Sequence, residues 1–351
     1  MARKMILVAG AQGIIGRAVI EHCETIADVE VIGLGRRKPD YGSRARFISV
    51  DLLDPASCES QLGDLRTVTH LVFAAWTAGP TRAEEVGPNL AMLRNLMEVL
   101  GLVAPDLRHV TLLQGAKAYG SHLGSFMTPA REDDPRHMPP NFYYDQEDYL
   151  TTLQRCSRWT WTIFRPTVVY GFAAGNPMNM TTVIGVYAAI SQALGLPLRY
   201  PGNETAYGVL NQAVSASLIA RAILWAGDTE RAANEAYNIT NGDMFRWSRM
   251  WPHIAGRFGI EVAPPQRIPL TEFMSDKAEL WADIAGRHNL APIPFADLVA
   301  WPFGEFILNR QFDHLLDSTK LRDHGFDGYA DSFRMFDRQI DLLRHHRVIP
   351  A

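Results

Sequence analysis

Glycine occupies every third position of a turn near the start of this chain. An apolar run, Met5 to Ala9, leads into Gly10-Ala11-Gln12-Gly13-Ile14-Ile15-Gly16, and a helix-forming stretch follows. Gly10 permits a tight turn, Gly13 lets the backbone approach a pyrophosphate, and Gly16 lets the helix pack closely on the strand. The free N–H groups at the helix N-terminus, where the helix dipole is positive, then hold the phosphates. The pattern predicts a strand, turn and helix that bind a dinucleotide.

A basic segment, Gly35-Arg36-Arg37-Lys38, follows the second predicted strand, Val29–Leu34. An NAD-preferring site usually carries Asp or Glu here, because a carboxylate accepts hydrogen bonds from the ribose 2′-OH. Cations instead suit a 2′-phosphate, which arginine contacts through paired hydrogen bonds. The alternative is that this segment is an exposed basic loop that contacts no phosphate. We expect NADPH or NADP+ as the cofactor.

Strands and helices alternate along the first half of the chain. The further predicted strands are Arg46–Val50, Val68–Ala75, Arg108–Leu113 and Trp159–Phe164, and the clearest helices are Ile14–Ile26 and Glu84–Leu100. This alternation predicts an α/β fold, a Rossmann-type doubly wound parallel sheet. Residues 1–170 are expected to form an NADP-binding domain, which 205–242 rejoins through a late strand at Asn234–Ile239. Residues 171–204 and 243–351, with a helix at Met180–Leu194, are expected to form a smaller, mostly helical substrate-binding region.

The carboxyl ends of the predicted strands carry Gly10, Arg36, Asp51, Trp76 and Lys117. Ligands of doubly wound sheets lie beyond those ends, so these residues are predicted to converge on one crevice. Asp51 either contacts the adenine edge or caps the helix that begins near Pro55. Trp76 either contacts nicotinamide or substrate, or is a buried aromatic residue.

Charge and composition narrow the classes of partner. The formal net charge of −4 argues against a nucleic-acid-binding surface, which needs a positive excess. The three cysteines are scattered without metal-ligand spacing, so no metal is expected. No apolar stretch approaches the length of a membrane span, and the run before Gly10 is too short for a signal peptide. We expect a cytoplasmic protein.

A Rossmann unit with NADP-type arginines suggests a short-chain dehydrogenase/reductase, but the usual Tyr-x-x-x-Lys motif is missing. Tyr143 is followed four residues later by Glu147, and Tyr144 by Asp148. Either catalysis has been lost or the lysine comes from elsewhere. Among the few lysines, Lys117 alone is placed at a strand end beside the expected nicotinamide. Either Tyr143 or Tyr144, at the start of the next helix, could face it.

Several further stretches complete a recognisable pattern. They are Gly115-Ala116-Lys117-Ala118-Tyr119, Asn141-Phe142-Tyr143-Tyr144 with Glu147-Asp148, Arg165-Pro166, Met178-Asn179, Asn234 to Asn238, Asn241-Gly242-Asp243 and Val348-Ile349-Pro350. With the glycine turn and Arg36-Arg37, they span nearly the whole chain. The chain resembles the progesterone 5β-reductase/iridoid synthase-like (PRISE) enzymes, an atypical branch of the short-chain dehydrogenase/reductases.

The resemblance implies NADPH-dependent reduction of the activated C=C bond of enones or enals by conjugate hydride addition. Lys117 is then the catalytic lysine, which holds the ribose, and Tyr143 is the tyrosine, which stabilises charge on the carbonyl oxygen. Ala116 and Ala118 depart from the arginine and histidine of the plant enzymes. The segment Ser125 to Pro140 also differs, so steroid activity is not assumed.

The expected ligand contacts follow from strand ends and resemblance together. The residues expected at the cofactor are Gly10, Gln12, Gly13, Ile14, Ile15, Gly16, Gly35, Arg36, Arg37, Asp51, Leu52, Ala75, Trp76, Thr77, Gln114, Lys117, Tyr143, Pro166 and Val168. Those expected at the substrate are Trp76, Tyr119, Phe172, Met178 and Tyr187. Trp301 and Phe303 are further candidates for an apolar substrate pocket, together with Phe172, Met178 and Tyr187. About half of these five residues are expected to belong to the hydrophobic core instead.

Two other functions remain open. A carbonyl reductase or an NAD(P)-dependent epimerase/dehydratase uses the same fold, although the missing Tyr-x-x-x-Lys motif argues against both. A non-catalytic NADP-sensing regulator needs neither Lys117 nor Tyr143. The expected partners are a small apolar enone or enal and, in a homodimer, a second copy of the chain, but no nucleic acid and no membrane.

Overall fold

The computed structural model describes residues 4–39, 41–173 and 175–351. The chain divides into two compact units. Unit 1 comprises Met1–Thr167, Ala216–Ile239 and Leu316–Gly328. Unit 2 comprises Val168–Ser215, Thr240–Leu315 and Tyr329–Ala351.

The strands are short, apart from those at the centre of unit 1. They are β1 (Lys4–Ala9), β2 (Val29–Gly35), β3 (Arg46–Ser49), β4 (His70–Phe73), β5 (His109–Leu113), β6 (Thr160–Pro166), β7 (Val168–Tyr170), β8 (Leu198–Arg199), β9 (Leu210–Asn211), β10 (Ala213–Ser215), β11 (Glu235–Ile239), β12 (Phe245–Arg246) and β13 (Val262–Ala263).

The helices range from one turn to about six. They are α1 (Ile14–Cys23), α2 (Pro55–Leu62), α3 (Arg82–Val103), α4 (Phe142–Gln154), α5 (Met180–Ala193), α6 (Glu204–Gly208), α7 (Ala216–Asp228), α8 (Trp247–Phe258), α9 (Leu270–Phe273), α10 (Ala278–His288), α11 (Phe295–Leu298), α12 (Trp301–Leu308), α13 (Thr319–Asp323) and α14 (Ser332–His345). Short 3-10 helices lie at Ala116–Tyr119 and Glu230–Ala232. No described helix combines the length and apolarity needed to cross a membrane.

Unit 1 is built on a seven-stranded sheet in the order β11-β6-β5-β4-β1-β2-β3. All six strand pairs are parallel. The central strands are apolar and buried because helices cover both faces of such a sheet. The prediction of a doubly wound parallel sheet is therefore confirmed, and so is the late strand, since β11 pairs with β6.

Local interactions shift several predicted ends. Helix α1 stops at Cys23 rather than Ile26, and Asp28 then adopts a left-handed φ of 65°. Helix α3 begins at Arg82 rather than Glu84, because the Thr81 side chain caps it by accepting a hydrogen bond from the Glu84 N–H. Strand β4 stops at Phe73, two residues short of the predicted end.

The two units differ from the expected domains in two longer segments, and also in residues 168–170 and 240–242, which belong to unit 2. Residues 205–215, expected in the NADP-binding domain, belong to unit 2, because β10 pairs in parallel with β7. Leu316–Gly328, expected in the substrate-binding region, belongs to unit 1. There Leu316 forms a β-bridge with Ala130, and the Lys320 ammonium donates to the Ala236 carbonyl at 3.0 Å.

Unit 2 is the smaller unit and is mostly helical, as predicted. Its core surrounds α5, which is buried on nearly every side and confirms the predicted helix at Met180–Leu194. An aromatic cluster fills the space beside it, with Trp247, Trp251, Tyr200 and Phe336 almost wholly enclosed.

Candidate active site

The glycine turn has no room for side chains at two positions. Gly10 has a left-handed φ of 85°, and a Cβ there would lie 2.7 Å from the Ala74 carbonyl oxygen. A Cβ on Gly16 would overlap the Gly10 carbonyl oxygen. Gly13 is the N-cap of α1, and no side chain caps that helix. The turn thus fits a dinucleotide, because the helix start can offer backbone N–H groups to phosphates.

Gln12 joins the glycine turn to the basic segment after β2. Its Nε2 donates to the Arg37 carbonyl oxygen, and a Cβ on Gly35 would overlap the Gln12 side chain. The side chains of Arg36 and Arg37 are exposed. Gln12 therefore positions the backbone that carries these arginines, and the two guanidinium groups stay accessible to an anion.

Asp51 is exposed beyond β3, and its carboxylate accepts a hydrogen bond from the Leu53 N–H at 3.0 Å. Helix α2 is capped by Asp54, which accepts from the Ala56 N–H at 3.0 Å. The alternative that Asp51 caps this helix is therefore wrong, because the chain makes one further turn before Pro55. Leu52 is buried, and its carbonyl accepts a hydrogen bond from Asn95 Nδ2 at 2.9 Å.

Beyond β4, Ala75 is half-buried and Trp76 is 40% exposed. The alternative of a buried aromatic residue at Trp76 is therefore wrong. The next residue, Thr77, is fixed by the fully buried Asn89 of α3. Asn89 accepts from the Thr77 N–H at 3.0 Å and donates to the Thr77 carbonyl at 2.8 Å, which holds this strand end in place.

Lys117 lies in the 3-10 helix that follows β5. Its carbonyl oxygen is held by Asn141 Nδ2 and by His137 Nε2, each at 3.0 Å. Burial and the nearby Arg82 guanidinium lower the pKa of the Lys117 ammonium, whereas the Glu85 carboxylate raises it. No described residue forms a hydrogen bond or ion pair with the ammonium, so it is free to bind a ligand hydroxyl.

Asn141 connects the lysine segment to the tyrosine helix. As the N-cap of α4, its Oδ1 accepts from the Tyr143 N–H at 3.1 Å. Its Nδ2 is the same group that donates to the Lys117 carbonyl. One amide side chain therefore fixes the backbones of both candidate catalytic residues.

The Tyr143 hydroxyl lies at the end of β5, where a Cβ on Gly115 would come within 3.3 Å of it. Within the described part of the chain it has no hydrogen-bond partner. Burial and then the Glu85 carboxylate raise the pKa of Tyr143, and Arg82 lowers it. The hydroxyl is thus protonated near neutrality, and the charged groups that act on it are Glu85 and Arg82.

Tyr144 differs from its neighbour because its hydroxyl has two partners. It donates to the Ala118 carbonyl at 2.8 Å and accepts from the His137 N–H at 3.1 Å. The side chain is buried. Of the two tyrosines that the sequence left open, only Tyr143 has a hydroxyl available to a substrate.

A buried network beneath Tyr143 contains residues that were expected at ligands. Gln114 Nε2 donates to the Tyr143 carbonyl and to Glu147, and Gln114 Oε1 accepts from Arg165 at 2.9 Å. The Arg165 guanidinium pairs with Glu147 at 3.1 Å. Gln114 is therefore placed to position Tyr143, and its polar side-chain atoms are already bonded within the protein.

Tyr119 belongs to the same network. Its hydroxyl donates to Asn238 Oδ1 at 2.6 Å and accepts from Arg165 at 3.3 Å. The residue is buried, so the structure gives the hydroxyl no freedom to contact a substrate. Pro166 ends β6, and its carbonyl lies 3.5 Å from the Cβ that Gly115 lacks.

The remaining expected residues belong to unit 2. Phe172 is partly buried and stacks on His346 with ring centroids 4.3 Å apart, and Met178 is 39% exposed. Tyr187 is buried, and its hydroxyl donates to the Arg199 carbonyl at 3.0 Å. Tyr187 therefore belongs to the hydrophobic core, which was expected for about half of the apolar pocket candidates. Val168, at the start of β7, packs partly buried against the core of this unit.

Sequence reasoning missed the polar side chains that position the site. Asn89, Asn141, His137 and Arg165 each bond to backbone or side-chain groups next to the expected ligand contacts. An asparagine directly before a helix is an N-cap signal, so the role of Asn141 could have been found. Nothing in the spacing of the other three indicates their partners.

The parallel sheet, the glycine turn and the lysine and tyrosine beyond β5 define a Rossmann-fold protein of the short-chain dehydrogenase/reductase type. A sequence profile of the PRISE-like Rossmann-fold domain matches residues 50–350, and this chain belongs to that family. It is 33% identical to (S)-8-oxocitronellyl enol synthase of Nepeta cataria, over 98% of this chain and 92% of the relative. It is 32% identical to 3-oxo-Delta(4,5)-steroid 5-beta-reductase of Arabidopsis thaliana, with the same two coverages.

Solved structures share the fold at low sequence identity. UDP-glucose 4-epimerase of Thermotoga maritima has a TM-score of 0.67 at 18% identity, covering 97% of this chain and 99% of that one. A short-chain dehydrogenase/reductase superfamily protein of Agrobacterium tumefaciens, solved with NAD, has a TM-score of 0.67 at 16% identity, covering 97% of each chain. The predicted fold and the resemblance to the PRISE enzymes are both confirmed.

Proposed function

We propose that this protein is an NADPH-dependent reductase of the activated C=C bond of enones or enals. The observation that carries the proposal is the pair of unpartnered groups beyond β5, the Lys117 ammonium and the Tyr143 hydroxyl, with Asn141 fixing both backbones. The relatives named above, a steroid 5-beta-reductase and an 8-oxocitronellyl enol synthase, support this class of reaction.

Three groups of residues would hold the cofactor. The first turn of α1 offers its N–H groups to the pyrophosphate, Arg36 and Arg37 contact the 2′-phosphate, and the Lys117 ammonium donates to the nicotinamide ribose. NADPH supplies a hydride when bound. Tyr143 and Trp76 of unit 1 are the proposed substrate contacts, and Tyr119 and Tyr187 are left out because their hydroxyls are bonded internally.

Tyr143 would stabilise the charge that develops on the substrate's carbonyl oxygen when the β-carbon gains a hydride. Its hydroxyl donates a hydrogen bond to that oxygen, and it keeps its proton near neutrality because burial raises the pKa of the phenol. Solvent supplies the proton to the α-carbon. The residues therefore favour conjugate addition, and nothing in them favours the epimerase or the sensor.

The test follows NADPH oxidation with 2-cyclohexen-1-one, progesterone and cyclohexanone. Oxidation with an enone and not with the saturated ketone is expected, and oxidation with cyclohexanone alone would overturn the proposal. Replacing Tyr143 by Phe should lower kcat about 10²- to 10³-fold, the usual effect of removing one oxyanion donor, with NADPH affinity nearly unchanged. Tyr144→Phe is the matched control. It should lower thermal stability more than kcat, because that hydroxyl bonds the backbone.

A homodimer and a cytoplasmic location remain predictions.

A further inference from the structure

The ring of His137 in unit 1 lies between two carbonyl oxygens. Its Nε2 is 3.0 Å from the Lys117 carbonyl oxygen, and its Nδ1 is 2.8 Å from the Met138 carbonyl oxygen. Because a carbonyl oxygen only accepts hydrogen bonds, each contact needs a proton on the ring nitrogen. A neutral imidazole carries one N–H, and an imidazolium carries two. Only the protonated ring can therefore donate to both oxygens.

Asn141 indicates which of the two bonds the neutral ring gives up. Its Nδ2 lies 3.4 Å from His137 Nε2, and an amide N–H can donate only to a ring nitrogen that carries no proton. This arrangement leaves the one remaining proton on Nδ1, which keeps the shorter contact to Met138. The Lys117 carbonyl then faces a lone pair, so the bond to Lys117 is the one that deprotonation removes.

The groups of α4 beside the ring pair with their neighbours. Arg136, the preceding residue, bonds to Asp148 at 2.8 Å and lies 3.3 Å from Glu147. The Tyr144 ring lies 5.4 Å from the His137 ring, centroid to centroid, and its phenol stays neutral because burial raises its pKa. A positive charge on His137 would therefore meet two carboxylates as well as one guanidinium.

A second histidine, His122, packs edge-on against the His137 ring with centroids 5.2 Å apart. Burial, and then the charges of His137 and of two further cations, lowers the pKa of His122 to about 4, whereas the Glu85 carboxylate raises it. The two further cations are Lys117 and Arg82. His122 is thus neutral above about pH 5 and adds no charge beside His137.

The bond that deprotonation removes helps to fix a candidate catalytic residue. The Lys117 carbonyl also accepts from the Gly120 N–H at 3.1 Å and from Asn141 Nδ2 at 3.0 Å. The Gly120 bond is local to the 3-10 helix, so only the bonds from Asn141 and His137 join this helix to the residues around the start of α4. A hydrogen bond from a charged donor is about twice as strong as one between neutral groups.

We propose that His137 is a positioning residue for Lys117, and that its ring holds the Lys117 carbonyl when both ring nitrogens carry protons. The inference rests on the proposed function, because that function places the Lys117 ammonium at the nicotinamide ribose. Histidine titrates between about pH 5 and 8. Wild type should therefore gain activity, relative to variants without this ring, as the pH falls through that range.

Two substitutions separate the two ring nitrogens. Glutamine places an amide N–H near the position of Nε2 and keeps a donor to Lys117, whereas asparagine places one near Nδ1 and keeps only the contact to Met138. NADPH oxidation with 2-cyclohexen-1-one is measured at pH 5.5 and pH 8.5. The kcat of His137→Asn should be about 10-fold below wild type at pH 5.5 and within about 2-fold at pH 8.5, since the lost bond is charge-assisted only at the lower pH.

Ratios of kcat remove the titration of NADPH and of other residues, which affects every variant alike. His137→Gln should be faster than His137→Asn by the same factor at both pH values, because neither side chain titrates. His288→Gln removes an exposed histidine at the end of α10 and should reproduce the wild-type profile. A ratio of wild type to His137→Asn that is equal at both pH values overturns the proposal, because a purely structural histidine gives that result.

A second measurement needs no reaction. The Ala118 nitrogen shares its peptide group with the Lys117 carbonyl, so its NMR shift responds to hydrogen bonds on that oxygen. In protein labelled with ¹⁵N-alanine, the Ala118 signal is identified by its absence in Ala118→Gly. It should move between pH 8.5 and pH 5.5 in wild type and stay still in His137→Gln and His137→Asn.

The two measurements separate this inference from the proposed function. If no enone is reduced while the Ala118 signal titrates only in wild type, the enone reductase is wrong and the pH-dependent bond to Lys117 stands. If an enone is reduced while the Ala118 signal of wild type stays still, the reductase stands and the role of His137 is wrong.

Discussion

At the scale of single residues, the candidate site depends on the space around the Tyr143 hydroxyl. Gly115 has extended backbone, which any residue can adopt, so its lack of a side chain is a matter of space alone. A methyl group there would lie 3.3 Å from the hydroxyl oxygen, so the ring must shift by a few tenths of an ångström. The small residue beyond β5 therefore sets where the Tyr143 hydroxyl lies.

Gly115→Ala tests this placement. We expect kcat to fall by up to about 10²-fold, because small displacements of a reacting group are costly, while NADPH affinity changes little. Gly101→Ala is the matched control, because a Cβ there meets nothing within 4 Å and Gly101 lies inside α3. That control should keep full activity and gain about 0.5–1 kcal/mol of stability. Unchanged kcat in Gly115→Ala would contradict the placement.

A second residue, Asn141, has two functions that substitution can separate. Asn141→Asp keeps the acceptor that caps α4 but loses the donor to the Lys117 carbonyl. Asn141→Ala loses both. The free energy of unfolding should fall by about 1 kcal/mol in the alanine variant and by less in the aspartate variant, since aspartate caps helices as well as asparagine does.

Both Asn141 variants should lose activity, because the Lys117 carbonyl keeps its hydrogen bond from His137 but loses the one from Asn141. Chemical denaturation and initial rates with an enone give the two readouts. Full activity in Asn141→Asp would show that the bond to Lys117 is dispensable.

At the scale of elements, two buried histidines lie at the amino ends of β4 and β5. The candidate site residues follow the carboxyl ends of these strands. His70 and His109 have ring centroids 6.3 Å apart. His109 Nδ1 lies 2.9 Å from the Thr160 hydroxyl, whereas its Nε2 is enclosed without a partner. Burial lowers the pKa of His70, and burial and then the neighbouring His70 lower the pKa of His109 to about 3.

These depressed pKa values predict a loss of stability in acid. The unfolded chain binds protons at these positions below about pH 6.5, whereas folded His109 does so only near pH 3, so stability falls across that window. His109 alone should cost about 2 kcal/mol at pH 5 relative to pH 7.5. Urea unfolding of His109→Asn at both pH values should show a pH dependence smaller by about that amount. An unchanged pH dependence would argue against a neutral buried His109.

The strands and helices also show which parts of the fold could be predicted from the sequence. The alternation of apolar strands with helices predicted strands β1 to β6 and their parallel direction, because burial on both faces leaves a strong local pattern. It did not predict that Leu316–Gly328 returns to unit 1, since that depends on the bridge to Ala130 and on contacts far apart along the chain. For the same reason the partners of Gln114 and Arg165 could not be predicted.

At the scale of the whole molecule, the candidate site residues are divided between the two units. Unit 1 contains the glycine turn, the basic segment, Lys117 and Tyr143, and unit 2 contains Phe172 and Met178. Motif spacing predicted the candidate residues of unit 1, because turns and strand ends have sequence signatures.

The proposed preference for NADPH depends on the loop whose Arg37 carbonyl accepts a hydrogen bond from Gln12. Arg36 and Arg37 are exposed and are proposed to contact a 2′-phosphate, so alanine at both positions should raise the dissociation constant of NADPH. Charge-assisted hydrogen bonds contribute about 1.5–3 kcal/mol each, which predicts a rise of at least about 10-fold. The affinity for NADH, which lacks that phosphate, should hardly change, and the difference should shrink at high salt. Titration of both cofactors by nicotinamide fluorescence measures this, and equal losses for NADPH and NADH would mean that the arginines shape the loop rather than select the phosphate.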